Sequence, residues 1–118
     1  MGRFAGPNVV TDGLVLALDA GNAKSYPGSG TSWSDISGQG NNGTLTNGPT
    51  HSSDNGGSIV FDGTDDYCRI TSASLLNSIG SSDFTVSMWI YRATNPPSGN
   101  GEMLYQSADL NDGFVICI

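Results

Sequence analysis

The eight residues Phe84 to Tyr91, FTVSMWIY, alternate in hydropathy with period two. On an extended chain successive side chains point to opposite faces. Phe84, Val86, Met88 and Ile90 therefore share one face, and Thr85, Ser87, Trp89 and Tyr91 the other. A helix would scatter both sets around its axis, so this run constrains the chain to a β architecture. The rest of the sequence agrees. It holds 17 glycines and only 13% charged residues, and Ser, Thr and Asn fill much of the remainder. These residues suit tight turns and are poor or indifferent in helix interiors.

Further strands are expected at Leu14–Leu18, a continuous apolar run bounded by Gly13 and Asp19, and at Ser58–Phe61, Asp66–Thr71, Glu102–Ser107 and Phe114–Ile118. Asp62-Gly63-Thr64-Asp65 reads as the turn of a hairpin between the second and third of these runs, since glycine takes positive φ freely and Asp can bond local amides. Leu75–Ile79 followed by Gly80 reads as one helical turn with a glycine stop. Between Ala20 and Gly57 lie the turn signatures YPG, SGQGNNG and NGP. Trp33, Ile36 and Leu45 interrupt this polar region, which is expected to be an ordered loop with short strands. The chain ends in an apolar strand without a cap, so the sandwich is expected to be incomplete at its C-terminus or completed by a partner.

At 118 residues the chain is at most one domain, read as an N-terminal arm over 1–12 and a β domain over 13–118. The formal net charge of −7 carries no basic stripe, which argues against nucleic-acid binding. No apolar run approaches the length of a membrane span, and residues 1–12 lack the core of a secretory signal. Cys68 and Cys117 match no metal-site spacing and read as buried free thiols. His51 alone builds neither a metal site nor a nucleophile–base set. Asn42-Gly43-Thr44 is a sequon that reads as a turn.

The order GLVLALDAGN, SWSDISGQGNNGTL, GGSIVFDGTDDY, DFTVSMWIYRA resembles the laminin-G-like, concanavalin-A-like jelly-roll domains, most nearly those in virion proteins of tailed bacteriophages. The likeness runs from Val10 across nearly the whole chain. It implies an all-β, antiparallel jelly-roll β-sandwich, with further strands beyond this chain's end. In the pentraxin branch of that fold an Asp-Asn pair just before the strand that here is Phe114–Ile118 supplies calcium ligands, and the remaining ligands come from a later acidic loop that would lie beyond Ile118. The corresponding residues here are Asp109, Asn111 and Asp112, with Asp-Asn in reversed order, so at most half a calcium site is implied. Asp62, Asp65 and Asp66 offer a second, weaker set, for which hairpin capping is the simpler account. Trp89 and Tyr91, joined by Tyr105 from a neighbouring strand, are candidates for a sugar-stacking face; cover by other segments is the alternative. Related glucanases align catalytic acids along one strand, whereas here Asp65 and Asp66 should point to opposite sides and Glu102 stands alone. The expectation is a non-catalytic structural or adhesion component of a phage particle. It would be made in the host cytoplasm, sit on the virion surface, contact other virion proteins or copies of itself, and touch surface glycans. The alternatives are a calcium-assisted lectin module and an accessory domain of a glycoside hydrolase.

Overall fold

The computed structural model describes residues 10–71 and 83–92, together with the strands Tyr105–Gln106 and Phe114–Cys117. The expected turn at 75–79 lies outside the described residues. In chain order the described strands are β1 (Ser32–Trp33), β2 (Gly43–Thr46), β3 (Thr50–Ser52), β4 (Ser58–Val60), β5 (Tyr67–Ile70), β6 (Tyr105–Gln106) and β7 (Phe114–Cys117), with a 3-10 turn at Asp54–Gly56. They form two antiparallel sheets, one of order β1-β2-β5-β7-β6 and one of β3-β4. No α-helix occurs among the described residues. The described part of the chain is all-β and antiparallel.

The pairing corrects the hairpin expected at Asp62–Asp65. β4 pairs with β3, whereas β5 pairs with β2 and β7. The two strands flanking the acidic turn thus belong to different sheets. Residues 43–70 form one long antiparallel hairpin whose tip, β3-β4, leaves the sheet that its base, β2-β5, helps to build. Three residues (47–49) cross on one arm and six (61–66) on the other. Asn47, at φ 70°, supplies the left-handed residue on the short arm, and its Nδ2 donates to the Asp65 carbonyl at 2.7 Å, tying both arms together. The longer arm carries its own amide acceptors, described below, so it rounds the corner without a ladder.

Burial explains why the base of the hairpin holds. Gly43 and Leu45 on β2 stand opposite Ile70 and Cys68 on β5. All four are buried, and Leu45, Cys68 and Ile70 join Tyr26 as the core. Val15, Leu16, Leu18, Trp33, Ile59 and Phe61 pack against that cluster. Gly43 is required by contact rather than by backbone angle: a Cβ there would lie 2.6 Å from the Cys68 sulfur. Burial pushes the Cys68 thiol up to about 12, so it is an inert packing group. Cys68 is a free thiol, and Cys117 pairs with Tyr67 rather than with Cys68.

Leu14–Leu18 was expected as a buried strand. It is half-buried and joins neither sheet. Its polar groups are met by side chains and by isolated backbone bonds instead. Asp35 Oδ1 accepts the Ala17 amide at 2.9 Å, Asn41 Nδ2 donates to the Val15 carbonyl at 2.6 Å, and the Ile36 amide donates to the Ala17 carbonyl at 2.9 Å. The Asp19 amide donates to Ser25 Oγ at 3.0 Å. Asp35 also accepts the amides of Ser37 and Asn41. The SDISGQGNN stretch is therefore a latch that fastens residues 15–17 over the core.

Candidate functional site

The run that defines the β character of the sequence lies in neither sheet. Residues 83–92 carry no strand pairing, and every one of them is exposed. The exposure is uneven in the sense that alternation predicts. Met88 and Ile90 are each 38% exposed, Val86 45% and Phe84 58%, against 89% for Tyr91 and 103% for Trp89. The Phe84/Val86/Met88/Ile90 stripe thus faces inward in part, and the two large aromatics stand fully in solvent. Six large apolar side chains on one short segment make the largest concentration of exposed apolar surface among the described residues.

Tyr105 was expected to join Trp89 and Tyr91 from an adjacent strand. It lies on β6, whose neighbour is β7, and it pairs with Val115. Cross-strand register places it in a row with Val115, Arg69, Thr44 and Ser32. The three aromatics are not on adjacent strands. On β5 the Arg69 guanidinium carbon sits 5.3 Å from the centre of the Tyr67 ring, so that cation is held against its own strand neighbour.

The acidic corner is better formed than alternation implies. Asp65 and Asp66 precede β5 rather than lie within it, so the two-residue period does not separate them. One carboxylate oxygen from each of Asp62, Asp65 and Asp66 falls within 4.8 Å of the others. Asp62 and Asp65 are exposed and Asp66 is buried. Asp62 Oδ1 accepts the Thr64 amide at 2.8 Å and the Asp65 amide at 3.3 Å, while Asp66 Oδ2 accepts the Asp62 amide at 3.0 Å. The Thr64 amide, with help from its neighbours, holds the Asp62 carboxyl below the usual carboxylate range. Calcium needs six to eight oxygens, and several lone pairs here are already used by the turn. The corner's shape is accounted for by capping. Asp109, Asn111 and Asp112 lie outside the described residues.

One feature escaped sequence reasoning. His51 is in β3, and its Nε2 lies 3.0 Å from the Ala20 carbonyl. A carbonyl only accepts, so Nε2 carries the proton in this contact. The ring leans on Tyr26, with centroids 5.4 Å apart. The two border an open cleft of about 310 Å³ whose other walls are mainly small residues such as Ala20, Ala23 and Gly57. His51 joins β3 to the 20–26 turn, and a lone histidine in a polar stretch gave no signal of that. Comparison of the chain with protein-family models, curated proteins and solved structures finds no match, so the functional argument rests on this geometry.

Proposed function

We propose that the chain is a non-catalytic structural or adhesion component of a tailed-bacteriophage particle, a decoration module of capsid or tail that acts by surface contact. The observation that carries this reading is the exposed segment 83–92, with Trp89 and Tyr91 at 103% and 89% exposure. Soluble chains seldom leave so much contiguous apolar surface uncovered unless something docks there. Tryptophan and tyrosine are also the side chains that most often anchor interfaces. The resemblance to phage virion domains supplies the particle, and the net charge of −7 turns the surface away from nucleic acid.

A second reading, a sugar-binding module, draws on the same two rings, because fully solvent-facing aromatics can also stack on glycans. Co-sedimentation of the labelled chain with purified tailed-phage particles separates the two. The wild-type chain pellets with particles, and Trp89→Ala/Tyr91→Ala weakens this by roughly 30-fold, the loss of a ~2 kcal/mol hot spot. Equal pelleting of the two proteins would sink the contact role. Glycan-array binding that the double variant loses, with no particle association by either protein, would favour the lectin.

A further inference from the structure

We infer that the partner of segment 84–91 is a second copy of the same segment, paired antiparallel about a two-fold axis at Ser87. This rests on the contact role proposed above and names the partner. Residues 83–92 are exposed and belong to neither described sheet, so among the described residues no strand competes for them with strand addition, one of the standard ways that chains recognise each other.

The pattern points to a second copy. The six exposed apolar residues are spread over both faces of the segment, and pairing edge to edge with another strand is the contact that sets side chains beside one another on both faces at once. Self-pairing also uses the alternation fully. In an antiparallel pair, directly opposed residues share a face. Only a register with an even sum of residue numbers keeps the Phe84/Val86/Met88/Ile90 stripes of both copies on one side. Centring on Ser87 sets Phe84 against the partner's Ile90 and Val86 against the partner's Met88, so every apolar residue of the stripe meets another. Centring on Met88 would set Phe84 against the partner's Arg92. The other face then places Thr85 beside the partner's Trp89, an aromatic–β-branched pair of the kind that stabilises sheets. Charge does not oppose the contact locally, because the segment is uncharged between Asp83 and Arg92. The net charge of −7 acts at longer range and is screened by salt.

Sedimentation equilibrium of the full chain, with disulfide trapping, tests this. The wild-type chain is expected to dimerise as concentration rises, more strongly at high salt, and Val86→Lys to remain monomeric. In a Cys117→Ser background, Ser87→Cys should form an intermolecular disulfide under mild oxidation, because a residue on the axis faces itself. Thr85→Cys should do so at least tenfold more slowly. A wild-type chain that stays monomeric at every concentration and salt overturns the inference, as does trapping of Thr85→Cys as fast as Ser87→Cys. If the chain is monomeric while Trp89→Ala/Tyr91→Ala still abolishes particle binding, the contact role stands and the second copy is not the partner. If it dimerises as described and neither protein binds particles, the pairing stands and the virion assignment falls.

Discussion

Asp35 shows how one polar side chain can replace a β ladder. It accepts the amides of Ala17, Ser37 and Asn41 and the Ser37 hydroxyl. Burial alone would raise its carboxyl, but these four donors together hold it below the usual range. A depressed native pKa means that the latch contributes its full stability above the unfolded-state value, near 3.8. That stability is lost as pH falls through the lower native value. Asp35→Ala should cost about 2 kcal/mol at neutral pH, since it strands amides that the fold has taken from water. Urea unfolding across pH reads both effects: the wild-type curve should fall steeply below pH ~4, where protonation of the carboxylate cancels its advantage, and the variant should lack that part of the slope. An unchanged slope would mean that Asp35 does not hold residues 15–17.

At the scale of elements, the hairpin over residues 43–70 has its base in one sheet and its tip in the other. Its base depends on a glycine. Gly43→Ala would press a methyl against the Cys68 sulfur, and overpacking of this kind costs about 1–3 kcal/mol. Cys68→Ala leaves a small cavity of its own, but the double variant Gly43→Ala/Cys68→Ala should be more stable than the two single losses sum to, by about 1 kcal/mol. Additive losses in thermal melts would contradict the packing described. The strands at Ser58–Val60, Tyr67–Ile70, Tyr105–Gln106 and Phe114–Cys117 were legible in the sequence because apolar, β-branched and aromatic runs are fenced by Gly and Asp. Their pairing was not. Asp-Gly looks the same in a hairpin turn and at a corner between sheets, and only the long-range match of Leu45 with Cys68 decides between them. Leu14–Leu18 misled for a related reason: its apolar pattern is that of a strand, but Ala17 and Val15 bond the side chains of Asp35 and Asn41, far away in sequence. At the acidic corner, Asp62 and Asp66 spend their oxygens on the turn's own amides. Millimolar calcium should therefore leave the melting midpoint unmoved, and a calcium-dependent rise reversed by chelator would reveal a site that binds the native state.

At the scale of the whole molecule, the described residues combine a small core with an apolar segment left outside it. Tyr26, Leu45, Cys68 and Ile70 are buried near the folded hairpin, while Phe84, Trp89 and Tyr91 remain in solvent. The alternation of FTVSMWIY told which face of the segment would be the wetter one. It could not tell that the drier face would still be 38–58% exposed, because exposure depends on what packs against a strand and not on the strand's own pattern. The central claim is that this segment is kept open for contact. Amide hydrogen exchange of residues 83–92, read in the dilute full chain and again in its assembled form, tests it most directly. The account predicts fast exchange when the chain is dilute and strong protection on assembly. Slow exchange in the dilute chain, or exchange that assembly leaves unchanged, would contradict it.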